Sequence, residues 1–542
     1  MAEALADITS HDTYVGGVPR DTFRYLRDHD PVHWTEESDG GRGFWSLTKY
    51  DDVLLASRST DVYSSRLGIR LEDMDEEETE ARRTMMEMDS PEHTKLRRLV
   101  SRPFSPRAVA DYEEAVRTLV VEILDSLDLK GEFNFVQSVA RELPMRMLGR
   151  VLGLPDEDLE WLVERGDALI GNTDPDFTDF VVDQVDTSDY RLLPFRSPVA
   201  VELFEYAAQA LEDRRLTPTN DVLSALLEPN ADGESLDDLA LKNFFTLMVA
   251  AGNDTTRYTM TGGLLALIER PEIFRAIPTM TLEERKKLVE EMLRWTTVTM
   301  HFRRTLTRDI ELRGKTLKAG DKVVLWYASA NYDDEHFDRP EEFLPHRSPN
   351  DHMAFGLHSP HLCLGAHLAR LEIRVLFEEL AARWSRVELA ADPEHLRSNF
   401  IGGIKELKIQ SVVAEQKRSH SARLTPRCWA TRSAPIASTR SWSASRASNA
   451  SASVAGTPTV ASMVSSPFPP SGFPGSVSAT APSRAACKTA ATVLWMTAPP
   501  SLRRCSRRAP APRSPGTRMV APRWSYPQLA QYPESDAGRR RL

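Results

Sequence analysis

The sharpest chemical signal in the chain is Ala354-Phe-Gly-Leu-His-Ser-Pro-His-Leu-Cys-Leu-Gly-Ala-His-Leu-Ala-Arg370. A glycine-containing loop leads to Cys363, then Gly365, then a helix carrying Arg370, Glu372 and Arg374. A cysteine just before a helix N-terminus faces backbone N–H groups and the positive end of the helix dipole, and both favour a thiolate. Such a thiolate is a metal ligand or a nucleophile. Gly365 has no Cβ, so a flat ligand can approach the backbone closely there. Taken alone, a single cysteine reads more simply as a small buried hydrophobe.

Three other clusters recur along the chain. Ala250-Ala-Gly-Asn-Asp-Thr-Thr256 places Asp254 and Thr255 in the middle of a long apolar helix. Polar groups at that depth need partners, since an unsatisfied one costs ~1–3 kcal/mol. Thr255 can bond to the carbonyl four residues back and bend the helix, a bend that Gly252 beside Ala251 eases. The plain alternative is a helix–helix polar contact. Glu291-Met-Leu-Arg294 puts opposite charges on one helix face, a pattern common in ordinary helices. In Pro91-Glu-His-Thr-Lys-Leu-Arg-Arg98, His93 and Arg97 also share a face. A solvated basic surface is the competing reading of that pair.

These residues need a scaffold, and its periodicity is mainly helical. The clearest pattern runs from Ser235 to Arg270, with Ser235 as expected N-cap and Pro271 closing it. At the helical rise it spans roughly 50 Å, and Phe244 to Ala251 is apolar nearly all round, so the middle is expected to be buried. Gly43-Phe-Trp-Ser-Leu-Thr predicts a strand, followed by a short helix near Asp51–Ala56. Further strands are expected at Asp309–Leu317 and Lys322–Trp326, with a turn at Ala319-Gly320. The acidic run from Leu71 to Glu80 reads as a solvated loop or exposed helix.

Composition separates a body, residues 1–416, from a tail, 417–542. The net charge of −11 averages the two. The tail holds 19 Lys and Arg against two acids, so the body is far more acidic than the total suggests. It is rich in Ser, Ala, Pro and Arg without periodicity, and is expected to be disordered or the product of a shifted reading frame. An acidic body argues against non-specific nucleic-acid binding, which needs clustered Lys and Arg. Three of the four cysteines lie in the tail, leaving Cys363 with no partner for an internal disulfide. Together with an acidic start lacking an apolar leader, and no run of ~18 apolar residues, this predicts a cytoplasmic protein without a membrane span.

The loop around Cys363 resembles the haem-binding loop of the cytochrome P-450 superfamily, Phe-Gly-x-Gly-x-His/Arg-x-Cys-x-Gly. Phe355, Gly356, His361, Cys363 and Gly365 match. Seven residues separate Phe355 from Cys363 where most members have six, a spacing shared by some bacterial lipid-oxidising members. His358 or Ser359 stands where a second glycine is common, and Pro360 offers no N–H. The other clusters fall in the family's order, and the resemblance runs from Phe44 to Leu407. It implies that Glu291 and Arg294 join Arg347 in a structural network. It also implies that Ala251, Gly252, Asp254 and Thr255 form the oxygen-binding groove, with the acid and alcohol delivering protons.

The resemblance further implies haem b with an axial Cys363 thiolate, its propionates held by His93, Arg97, Arg304 and His361, with Arg303 the alternative to Arg304. The implied fold is mainly α, a triangular helical domain with a smaller β-rich region. The implied reaction is R–H + O₂ + 2e⁻ + 2H⁺ → R–OH + H₂O. Electrons are expected from a separate ferredoxin or flavodoxin, because the chain shows no flavin- or nicotinamide-binding glycine motif. Ala251–Arg257, the longer cysteine loop and Ser398-Asn-Phe400 resemble relatives that oxidise sterols, branched fatty acids or terpenoids. The hairpin at Arg397–Leu407 resembles the family's last substrate-contacting turn. A peroxide-driven peroxygenase and a non-catalytic haem-thiolate sensor are the competing functions.

Overall fold

The longest element is the helix Asp238–Ile268, and packing around it organises the rest. In the computed structural model, which describes residues 5–38, 40–229 and 233–413, it starts two residues later than the sequence suggests. Its N-cap is Asp237, whose carboxylate accepts from Ala240 N at 2.8 Å, and not Ser235. An anionic oxygen at the positive helix end is the stronger cap. Helices Glu142–Leu152, Leu159–Ile170, Val199–Leu216 and Leu282–Thr296 pack against it. The helix runs unbroken through Gly252. That glycine serves close packing, since a Cβ there would lie 2.9 Å from the Leu148 side chain.

The β-rich part holds a five-stranded sheet in the order Val32–Thr35, Phe44–Leu47, Lys322–Trp326, His301–Leu306, Tyr63–Ser64. Its central strand, Lys322–Trp326, is buried along its whole length, which explains the continuous run Val-Val-Leu-Trp. It pairs parallel with Phe44–Leu47 and antiparallel with His301–Leu306. Alternation along His301–Leu306 sends Phe302 and Arg304 to one face and His301 and Arg303 to the other. The stretch expected as β structure at Asp309–Leu317 is itself a hairpin, Ile310–Leu312 with Lys315–Leu317, and Gly320, in the expected turn before Lys322–Trp326, has φ +88°. A three-stranded sheet, Phe133–Asn134, Lys408–Val413 and Trp384–Leu389, closes the other side.

Two charged regions stand out. Glu291 and Arg294 are fully buried, with Arg294 Nη2 2.8 Å and Arg347 Nε 3.0 Å from the Glu291 carboxylate. Leu344 N also donates to it, at 2.8 Å. Arg294 Nη1 donates to the carbonyls of Asn331 and Pro340, both at 2.9 Å, so the cluster staples helix Leu282–Thr296 to the segment leading into the cysteine loop. The acidic run Leu71–Glu80 is a correction. Glu76, Glu77 and Glu80 are solvated on helix Glu76–Ala81, but Glu72 is drawn inward by Arg70 and Arg82, which flank the run, and Glu78 by the distant Arg196. Arg196 cannot be read from the run itself. The expectations for 417–542 lie outside the described residues.

Candidate functional site

One cavity brings together the cysteine loop and helix, the long helix, helix Glu92–Val100 and strand His301–Leu306, among other segments. The loop is set by its own backbone. Cys363 N donates to Phe355 O at 2.9 Å, Gly356 N to Met353 O at 2.8 Å, and Leu362 N to Ser359 O at 3.0 Å. Gly356 adopts φ +71° and His358 φ +58°. The second left-handed position is therefore taken by His358, the residue standing near the usual second glycine; histidine tolerates that region better than most side chains. Arg370 covers the Phe355 ring at 4.6 Å and grips Glu290 through Nε at 2.6 Å, tying the cysteine helix to helix Leu282–Thr296.

Cys363 is open to the cavity while protein surrounds it. Burial pushes its thiol up, opposed by the N–H groups of Gly365 and Ala366 and by Arg97 and Arg370. A Cβ built on Gly365, which also lines the cavity, meets no protein atom within 4 Å. Among the described residues no three His, Cys, Asp or Glu side chains converge on a metal position. The cavity thus presents one sulfur, which suits a metal carried by its own macrocycle.

The rim is cationic. His93, Arg97, Arg304 and His361 all line the cavity, and the His93 and His361 rings lie 4.2 Å apart. Burial, then Arg304, His93 and Arg97, pulls His361 down to about 2. His93 Nε2 and Arg304 Nε are buried without a hydrogen-bond partner among the described residues. Buried donors and mutually repelling cations fit anionic carboxylates, which would satisfy both. Of the two adjacent arginines, strand alternation turns Arg304 to the cavity, whereas Arg303 lies 3.4 Å from Asp73.

On the long helix, Ala251, Gly252, Thr255, Thr256 and Thr259 face the cavity. Thr255 Oγ1 donates to Ala251 O at 2.9 Å, the back-bond its position predicts. Asp254 does not share that face. One residue is ~100° of helical turn, and it carries the carboxylate into a buried network. Asp254 Oδ1 meets Arg257 Nη2 at 2.5 Å, and Arg257 Nη1 meets Asp167 Oδ1 at 2.6 Å. Arg141 and Asn253 hold Asp167 in turn. Burial pushes the Asp254 carboxyl up, with Arg257 opposing and Asp167 adding to the shift. The sequence reading missed both partners: Arg257, whose spacing of three residues from Asp254 could have signalled it, and Asp167, on another helix, which no local spacing announces. Thr259, four residues past Thr255 on the same face, also went unnoticed.

Residues 33–394 match the family model described as Cytochrome P450. The chain belongs to the cytochrome P450 family. This P450 is 39% identical over 404 residues to a methyl-branched lipid omega-hydroxylase of Mycobacterium tuberculosis, covering 71% of this chain and 90% of the relative. It is 33% identical over 402 residues to a steroid C26-monooxygenase of Mycolicibacterium smegmatis, covering 72% and 90%. Among solved structures, a Mycobacterium marinum cytochrome P450 in complex with pseudoionone superposes with a TM-score of 0.66 at 35% identity, covering 72% of this chain and 94% of that one. P450 membership makes the protein a haem-dependent monooxygenase of hydrophobic small molecules, with an axial cysteine thiolate on the haem. Among the described residues, no helix of this P450 is long and apolar enough to cross a membrane.

Proposed function

We propose that Cys363 is the axial ligand, in a monooxygenase domain spanning residues 1–416 that hydroxylates a lipid-like, steroid or terpenoid substrate in the cytoplasm. The observation that carries this is Cys363 facing a cavity whose rim bears four basic side chains, two of them with orphaned buried nitrogens. His93, Arg97, Arg304 and His361 hold the propionates, and Phe355, Gly356, Gly365, Ala251 and Gly252 supply the walls. When bound, the haem supplies an iron centre that activates dioxygen and delivers one oxygen atom to a C–H bond. Thr255 offers a hydroxyl at the cavity face, and Asp254 passes protons from the Arg257–Asp167 network toward it. Electrons come from a ferredoxin- or flavodoxin-type donor. Apolar walls such as Met85, Leu247, Val298 and Phe302 suit the substrate classes named for the relatives.

The test pairs two spectra. Wild-type protein is expected to give the red-shifted ferrous–CO band of a thiolate-bound haem, and Cys363→Ala to lose it. A titration against lipids, steroids and terpenes then reads the spin-state shift each one causes. Retention of the band in Cys363→Ala overturns the ligand assignment, and substrate oxidation with peroxide alone, at full rate, points to a peroxygenase.

A further inference from the structure

Beside the haem cavity lies a second, smaller one, and the two share Met86 and Leu247 in their walls. Its sides are apolar, including Ile69, Met74 and Phe400, but its remaining wall is charged. Glu72 Oε1 accepts from Arg70 Nη2 at 2.8 Å and also from Arg82 Nη2, and Arg196 Nε lies 3.7 Å from Glu72 Oε2. Burial alone would raise the Glu72 carboxyl, yet Arg70, Arg82 and Arg196 hold it well below the usual range. Arg196 is further engaged by Glu78 at 3.0 Å, but Arg70 and Arg82 share the single Glu72 carboxylate. The other acid in this wall, Glu87, is turned onto Thr84 N and Oγ1, at 3.0 and 2.6 Å, and burial pushes its carboxyl up. The charged wall thus sets Arg70 and Arg82 against Glu72 and Glu87.

The same wall holds free donors. Arg82 is 8% exposed, and its Nη1 is buried without a partner among the described residues. Thr246 is 1% exposed, and its Oγ1 is equally unpartnered. The contrast within one helix is informative. Thr255, Thr259 and Thr261 each donate to the carbonyl four residues back, at 2.8–2.9 Å, whereas Thr246 does not. Asn243, one turn before it, donates through Nδ2 to the carbonyls of Ala81 and Arg83, at 3.0 and 3.3 Å. That clasp brings the Arg82 segment onto the long helix beside Thr246. The free Asn243 Oδ1 is an acceptor suited to a water shared with a ligand.

We propose that this side cavity is a carboxylate subsite, taking the head of a fatty-acid substrate whose chain passes Met86 and Leu247 into the haem cavity. The proposal rests on the lipid reading above. A carboxylate accepts from both Arg82 Nη1 and Thr246 Oγ1, the first a charge-assisted hydrogen bond. A neutral ester or alcohol head is the weaker acceptor for that guanidinium.

The test uses the haem-loaded full chain and three probes of equal chain length: palmitic acid, methyl palmitate and cetyl alcohol. Spin-state titrations give the Kd of each. Wild type is expected to bind the acid at least about ten-fold more tightly than the ester, the scale of a charge-assisted hydrogen bond. Thr246→Val is expected to shrink the acid-to-ester ratio several-fold, and Arg82→Met to bring it near one. If Arg82→Met fails to hold haem, the Thr246→Val ratio decides, since that swap removes no existing hydrogen bond. Equal acid and ester affinities in wild type, tighter binding of the alcohol, or a ratio unmoved by substitution overturns the subsite while leaving the lipid reading intact. Absence of any spin shift with all three probes overturns the lipid reading and the subsite with it.

Discussion

Asp254 Oδ1 lies 2.5 Å from Arg257 Nη2, three residues along the same helix, and both side chains are 1% exposed. Thr255, between them in sequence, faces the haem cavity instead. The acid therefore reaches the cavity only through motion or an intervening carrier such as water, and Arg257 controls its charge. The Arg257 guanidinium bridges Asp254 to Asp167, and while burial raises the Asp254 pKa, the arginine restrains the rise.

Arg257→Leu is expected to cost on the order of 3–5 kcal/mol, because it leaves Asp254 and Asp167 buried without their shared counter-charge. Chemical denaturation of the holoprotein checks this. Adding Asp254→Asn to that variant should recover part of the loss. Equal stability of the single and double variants would show that Asp254 is already neutral once Arg257 is gone.

The Glu291 cluster predicts a comparable loss. Glu291→Gln removes the charge that two buried guanidiniums share and leaves Arg294 and Arg347 uncompensated, at a cost of about 3–5 kcal/mol. Because the cluster braces the segment before the cysteine loop, haem retention should fall along with the thermal midpoint. Unchanged haem content at a lowered midpoint would separate the brace from the cofactor loop.

How far these features could be read in the sequence follows from the range of each interaction. Glu291–Arg294 and Thr255–Ala251 lie within one helical turn, and spacing alone foretold both. The cysteine loop was legible because its glycine and cysteine positions are fixed by backbone geometry. Strand alternation chose Arg304 over Arg303 only once the strand's facing was known. Asp167 and Arg196 meet their partners across more than one segment, and no local pattern announces them. The inward turn of Glu78 was hidden for the same reason: an acidic run looks solvated until its arginines are found. Likewise Asp237 displaced Ser235 as the cap, a shift of two residues to the side chain whose charge suits the helix end.

Acid sensitivity should centre on Glu290. Burial alone would raise its carboxyl, but hydrogen bonds from His352 and Arg370 hold it at about 2. A carboxyl depressed in the folded state stabilises above its unfolded value near 4.5, and that contribution is lost as pH falls from there toward 2. The partly exposed setting limits it to the order of 2 kcal/mol. Glu290→Gln should therefore be less stable than wild type at neutral pH and converge on it in acid. Parallel pH profiles for the two proteins would remove Glu290 from acid unfolding.

Thr255→Ala separates the monooxygenase reaction from its rivals. The hydroxyl lines the cavity and back-bonds to Ala251, so its removal leaves the helix intact and changes side-chain volume little. Substrate binding should survive, seen as an unchanged spin-state titration. Without that hydroxyl, protons reach the cavity in the wrong place or order. Reductant consumption should continue while product per reductant falls several-fold and free hydrogen peroxide rises. Asp254→Asn should act differently, slowing reductant consumption and product together, because the group that carries protons inward no longer ionises. The two variants therefore differ in the ratio of product to reductant, assayed with peroxide in parallel. Unchanged coupling in Thr255→Ala would take the hydroxyl out of proton delivery. Loss of coupling in Asp254→Asn alone would move the proton donor to the acid and leave Thr255 a structural residue.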